Sequence, residues 1–261
     1  VFVSHKLDEV VEIADRVTVL RDGNKLGTYP AEGLNDKRLG ELMTGQSFVH
    51  RVHARNCRAA PVVLQVRDLT REGQYRDISF EVHRGEVVGL IGLLGAGRTE
   101  LALSLFGMNR PDSGQVFLEG KRLLANTNRQ AIDAGIAYVS EDRLSIGLNM
   151  RQSVQDNMIL AILNRISSTV GWLTPARREN MASTWRDKLQ IKIPSLSAPV
   201  SQLSGGNAQR VVLTKWLATD PKLLILDSPT VGVDIGNKQG IYEIVRSLTE
   251  RGVAVLMISD E

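Results

Sequence analysis

At 261 residues the chain is long enough for one sizeable α/β domain with additions and a real apolar core. A composition of 43% hydrophobic and 23% charged residues is that of an ordinary globular protein, and no apolar run approaches the roughly 18 residues of a membrane-spanning helix. A net charge of +3 with only 5% aromatics offers no basic, base-stacking platform, which argues against a nucleic-acid partner, and the single Cys57 excludes an internal disulfide and suits a reducing compartment.

No initiator Met and no signal-peptide layout opens the chain, so the sequence reads as the interior of a longer gene product. Val1–Val3 is a short strand-like run, Leu7–Ala14 reads as an amphipathic helix, and Val17–Leu20 and Lys25–Tyr29 flank a hairpin turn at Asp22-Gly23. Lys37–Met43 reads as a further short helix, and 46–61, without periodicity and dotted with basic residues, as a linker. After Pro61 a second domain is expected over 62–261. Val62–Val66 and Ile78–Val82 alternate as antiparallel strands do, and Val87–Ile91 reads as a buried strand followed by a Gly-rich loop and a helix, Thr99–Phe106. Val116–Leu118 with Glu119-Gly120 suggests another hairpin. A mostly helical region follows over Val154–Leu189, with a break around Gly171–Pro175; it is expected to form part of a helical subdomain over about 150–215. Helix Asn207–Ala218, strand Leu223–Leu226, helix Lys238–Thr249 and strand Val253–Ile258 close the chain. Strands alternating with helices predict an α/β fold with a mainly parallel core sheet, to which the antiparallel and helical pieces are additions. The segment Val253–Glu261 repeats the pattern of Val1–Asp8, so residues 1–45 look like the tail of one copy of a domain and 62–261 like most of a second, truncated at its C-terminus.

Three constellations carry chemistry. In Gly92-Leu-Leu-Gly95-Ala96-Gly97-Arg98-Thr99 the glycines let successive N–H groups turn inward around an anion, the following helix adds its positive end, and a cation and a hydroxyl stand where phosphates and Mg²⁺ need them. Arg98 occupies the usual Lys position, exchanging a compact ammonium for a planar fork; taken alone the segment is equally a plain Gly-rich turn. Leu203-Ser204-Gly205-Gly206-Asn207-Ala208-Gln209-Arg210 opens a helix with a Ser-Gly-Gly turn, which by itself is also an ordinary cap. Asp227 ends the apolar strand Leu223–Leu226, at the sheet edge where α/β proteins bind ligands, and Asp234 follows shortly after.

In this order the three resemble the ATP-binding domain of ABC ATPases, a P-loop NTPase fold with an antiparallel β subdomain and a helical signature subdomain. Gly92–Thr99 matches the Walker A loop, with Glu100 beside it. Leu203–Arg210 matches the signature motif, Leu223–Asp227 the Walker B strand, and Asp234 the D-loop. Gly95–Glu100 and Ser140-Glu141-Asp142-Arg143 are similar to the second half of the tandem ATPases of simple-sugar importers of the ribose, galactose, arabinose and xylose type. That resemblance implies ATP and Mg²⁺ as cofactors, with Thr99 and Asp227 at the metal, and Glu141 at the position where other members carry the Q-loop Gln. It implies His5 as the switch histidine of a first half, and Tyr75 as a candidate to stack on adenine, though Tyr75 reads equally as a surface hairpin residue. It further implies partners: integral-membrane permease subunits, indirectly a periplasmic binding protein, and the missing first ATP-binding domain. The location would be peripheral, at the cytoplasmic face of a bacterial inner membrane.

Two positions depart from the pattern. Ser228 stands where a catalytic Glu is expected, and Asp260 falls where the repeat places His5. The resemblance therefore implies an importer subunit whose own ATP site is degenerate (Arg98, Ser228, Asp260) and which lends Ser204–Gly206 to the ATP of its partner domain; alone, the chain is expected to be weakly active or inactive. The alternatives are a soluble ABC ATPase acting on ribosomes or DNA, and a non-catalytic nucleotide-binding module.

Overall fold

A computed structural model describes residues 1–3, 7–21, 23–45, 57–93, 95–168, 171–233 and 235–259. His5, Asp234, Asp260 and most of the expected linker, 46–56, lie outside the described residues. Two compact units emerge, Val1–Ala54 with Val233–Gly240, and Arg55–Gly232 with Ile241–Glu261.

In the first unit helix α1 (Leu7–Ile13) precedes the antiparallel hairpin β1 (Arg16–Arg21) and β2 (Asn24–Pro30) and helix α2 (Asp36–Thr44). Asn35 caps α2 by accepting from the Arg38 amide at 2.8 Å, and Gly45 ends it at a left-handed φ of 74°, the conformation a helix C-terminus asks of glycine. Val19 and Leu39 form a small core, with Val11, Val17, Leu34 and Leu42 packed around them. The strand expected at Val1–Val3 does not form, and those residues stand exposed. A strand exists through its neighbour, and among the described residues none pairs with this run.

The second unit opens on the long strands β3 (Val62–Arg71) and β4 (Tyr75–His83), then β5 (Val87–Leu90) and helix α3 (Arg98–Leu105). Next come β6 (Ser113–Leu118), β7 (Lys121–Arg122), helix α4 (Asn128–Ala134) and β8 (Ile136–Val139). The helical region is α5 (Val154–Ile159), α6 (Leu163–Ile166) and α7 (Pro175–Lys188), and residues 167–168 and 171–174 are not helical. Helix α8 (Gly205–Leu217), β9 (Leu223–Asp227), helix α9 (Ile235–Glu250), whose residues 235–240 group with the first unit, and β10 (Ala254–Ile258) complete the order. Two sheets result: an antiparallel one ordered β4-β3-β6-β7 and a parallel one ordered β5-β10-β9-β8. Between them lies one core that includes Leu64, Val66, Leu69, Leu101, Leu105, Ile225 and Leu256, and within it the Phe106 ring lies 5.4 Å from Tyr138, tilted, and 5.3 Å from Trp216, edge-on. The antiparallel and parallel pieces follow expectation, but β5 is an edge strand. Among the described residues β10 alone pairs with β5, and Val87 and the following Ile91 are exposed. Helix α4 and strand β8 were not expected from the sequence. Among the described residues no helix is long and apolar enough to cross a membrane.

Candidate functional site

All four strands of the parallel sheet run the same way, so the segments following β5, β8, β9 and β10 leave from one edge. At a strand spacing of about 5 Å, the loop after β5 and the carboxylate ending β9 are separated by one strand, about 10 Å in all. That edge is where a phosphate chain and a cation fit together.

The glycine loop takes its shape from backbone freedom. Gly95 and Gly97 hold left-handed φ values of 79° and 83°. At Gly97 a Cβ would stand 2.1 Å from the carbonyl oxygen of Gln74, so only glycine lets the chain turn there, whereas nothing lies within 4 Å of a Cβ at Gly95, on the open side. Gly92 packs against Ala96, whose amide bonds the Leu93 carbonyl at 3.0 Å. Gly97 is the N-cap of α3 and offers no side chain to its first amides, which stay available to an anion. Arg98, Thr99 and Glu100 form the first turn, half-buried. The Arg98 guanidinium donates to the Ser259 carbonyl at 3.1 Å, tying the loop to the end of β10.

Strand β9 is buried throughout because it lies inside the sheet, and Asp227 at its end is only 1% exposed. A buried carboxylate needs donors. One is Tyr138, on the neighbouring β8, whose hydroxyl donates to Asp227 Oδ2 at 2.8 Å. Burial first, and then the Asp227 carboxylate, push the Tyr138 hydroxyl far above its ordinary pKa, so it remains a donor at any working pH. Ser228 follows at a left-handed φ of 45°, 5% exposed, its amide bonded to the Ile258 carbonyl at 3.0 Å. Glu141, just past β8, is exposed. Among the described residues no group of three or more His, Cys, Asp or Glu is set to hold a metal; Mg²⁺ bound to phosphates needs only one or two protein ligands, and the donor set of Thr99 and Asp227 fits it.

The Ser-Gly-Gly turn is seated differently from an ordinary cap. Ser204 is the N-cap of α8, yet its side chain makes no capping bond to the helix amides; its hydroxyl accepts instead from Asn207 Nδ2 at 3.1 Å and is exposed. Asn207 in turn accepts from the Lys192 amide at 3.0 Å. Gly205 is exposed, Gly206 and Gln209 are buried, and Leu203 is half-buried. An exposed hydroxyl and the uncapped amides of a 13-residue helix thus point outward together.

One expected site residue is overturned. Tyr75 is 8% exposed within the core, and its hydroxyl donates to Ser104 Oγ at 2.7 Å. Its ring is occupied by packing, which leaves no face for a base. Sequence reasoning gives no role to Tyr138 or to Arg143; the signal for the first is a tyrosine among the apolar Ile136, Ala137 and Val139, whose hydroxyl needs a partner if the run is buried.

A family model described as ABC transporter matches residues 75–231. The chain is 44% identical over 260 residues to the Ribose import ATP-binding protein RbsA 2 of Streptomyces avermitilis, with 100% of this chain and 51% of that protein covered. To a putative ribose/galactose/methyl galactoside import ATP-binding protein of Geobacillus kaustophilus it is 38% identical, covering 100% of this chain and 52% of that one. The chain thus spans about half the length of the curated relatives it matches. Among solved structures, the ADP conformation of an ATP-binding cassette of an ABC transporter superposes with a TM-score of 0.64 at 21% identity, covering 77% of this chain and 82% of that one, which shows the shared fold.

Proposed function

The chain belongs to the ABC transporter family, and from that premise we propose that it is an ATP-binding, energy-coupling part of a simple-sugar importer, comprising the end of a first ATP-binding domain and most of a second. The relatives' names supply the substrate class: they are import proteins for ribose or galactosides. The observation that carries the reading is the shared sheet edge, where the uncapped, glycine-turned start of α3 and the buried, tyrosine-held Asp227 flank a single strand.

In this reading the amides of Gly95–Thr99 bind the phosphates and Arg98, at the start of α3, adds positive charge beside them. Thr99 and Asp227 would hold Mg²⁺, which would supply charge neutralisation of the phosphates when bound. Asp227 is kept oriented by Tyr138, and Glu141 flanks the site from the end of β8. Ser228 has no carboxylate with which to orient a water. The second departure, at Asp260, removes another charge-stabilising group. Together such losses raise the barrier by several kcal/mol, of order 10³-fold in rate. The chain's own site therefore binds ATP with slow turnover. Ser204, Gly205 and Gly206, with an uncapped hydroxyl and open amides, serve an ATP held by a partner domain, to which His5 also belongs. Permease subunits would receive the resulting closure and a binding protein would deliver the sugar, with the chain peripheral to the membrane on its cytoplasmic side. The test is a calorimetric titration with Mg-ATP: binding in the micromolar range is expected, weakened at least about tenfold by Thr99→Ala, which deletes a metal ligand. No heat up to millimolar ATP would overturn the reading for this site.

A further inference from the structure

The turn Arg143–Gly147 is held at both ends. It is a single turn of π-helix, a form often found at functional positions. At its start the Asp142 carboxylate accepts from the amides of Leu144 at 3.1 Å and Ser145 at 2.9 Å. At its end the buried Lys215, near the close of α8, donates from Nζ to the Gly147 carbonyl at 2.6 Å. From the first residue of this turn a guanidinium reaches out to a distant stretch of chain. Arg143 Nη1 donates to the Val231 carbonyl at 3.1 Å and Nη2 to the Gly232 carbonyl at 3.0 Å.

The same Nη2 is wedged against the signature turn. A Cβ at Gly205 would stand 3.2 Å from it and a Cβ at Gly232 3.3 Å from it, while the Gly205 Cβ would also lie 3.4 Å from the Gly232 carbonyl oxygen. Both glycines therefore serve the close approach of three backbone segments around one planar group. A fork donating to two successive carbonyls is what a guanidinium provides and an ammonium does not.

We propose that Arg143 is a positioning residue that locks the Val231–Gly232 carbonyls to Gly205 of the Ser-Gly-Gly turn. This deepens the ATPase reading and rests on it. The motif lent to the partner's ATP and the segment two residues ahead of Asp234 then move as one body, and the turn beginning two residues past Glu141 is the physical link from the end of β8 to both. Arg143 touches no nucleotide; it acts through the backbone it holds.

Amide hydrogen exchange on wild type, Arg143→Ala and Arg143→Lys tests the clamp. The amide of Val231, bonded to the Ser228 carbonyl at 3.2 Å, is expected to exchange about tenfold or more faster in Arg143→Ala and to an intermediate degree in Arg143→Lys, while those of α7 stay unchanged and report an intact fold. In the two-domain subunit, Arg143→Ala is expected to lower kcat for ATP hydrolysis about tenfold with KM within about threefold, and Arg143→Lys to recover part of it. Unchanged exchange at Val231 would overturn the clamp. Faster exchange with unaltered kcat would overturn its role in positioning. If the alanine variant does not fold, the lysine variant carries both measurements. A wild-type subunit without turnover would count against the ATPase reading, and the exchange comparison would still decide the clamp.

Discussion

Replacing Tyr138 with Phe removes one oxygen atom and nothing else from the site. The ring stays packed against Phe106, at a centroid distance of 5.4 Å, so the apolar burial is conserved. What is lost is the 2.8 Å bond to Asp227 Oδ2, between a tyrosine 5% exposed and a carboxylate 1% exposed. A hydrogen bond to a charged acceptor is worth about 1.5–3 kcal/mol, and at this burial water cannot take the place of the donor, so the upper half of that range is expected. Urea unfolding should show the midpoint falling with the slope unchanged, the mark of a stability loss without a change in compactness. Because the same bond orients the proposed Mg²⁺ ligand, the variant should also bind Mg-ATP more weakly while its binding of ATP in EDTA is unaltered. A stability loss below about 0.5 kcal/mol, within the range of an ordinary surface substitution, together with unchanged Mg-ATP affinity, would refute the argument that Tyr138 holds Asp227.

Gly97→Ala should destabilise by at least about 3 kcal/mol, since the left-handed φ of 83° is joined by a Cβ 2.1 Å from a backbone oxygen that cannot step aside; urea unfolding within about 1 kcal/mol of wild type would mean the loop relaxes freely. Burial pushes the Lys215 ammonium down to about 8 from 10.5. Between those values the unfolded chain holds a proton that the folded chain has released, so stability should rise with pH across that window by about 3 kcal/mol and be flat below it. Lys215→Met should abolish that rise, and a pH series of unfolding midpoints checks both the sign and the window. Ser228→Glu places a carboxylate at a φ of 45° in a pocket only 5% exposed, beside Asp227. It should lower the melting temperature and raise phosphate release from this chain's own site by less than about tenfold, because a second departure persists at Asp260; a rise of about a hundredfold would show that Ser228 alone keeps the site slow.

Much of the fold was legible because its signals are local. The start of α2 carries an Asn35 cap and its end a Gly45, and β9 is an unbroken apolar run ending in an acid, so their places follow from neighbours in sequence. The same local signals existed for the two missed elements: Thr127 caps α4 by accepting from the Gln130 amide, Gly135 ends it at a φ of 104°, and Ile136–Val139 is uniformly buried. They went unassigned because seven- and four-residue elements are too short for periodicity to separate them from loop. The exposure of β5 could not be read at all, since an apolar strand looks the same at an edge as in the middle and only the order of the sheet distinguishes the two.

The site divides along the same physical line. The proposed roles of Gly92–Thr99 and Ser204–Gly206 rest on glycine-turned backbone at a helix start and on neighbouring side chains, so residue types at fixed spacing are enough to announce them. Tyr75 failed because what a ring stacks on depends on its surroundings: an aromatic near a nucleotide loop and an aromatic under it have the same sequence context, and the Ser104 hydroxyl that claims it lies 29 residues away. Tyr138 and Arg143 are further cases, their partners lying 89 and 88 residues along the chain. Long-range bonds of this kind carry no spacing signature, yet they decide whether Asp227 and the Gly232 segment are held or merely present. Motifs therefore locate the chemistry of this edge, whereas the residues that orient it are found only when the strands are laid side by side.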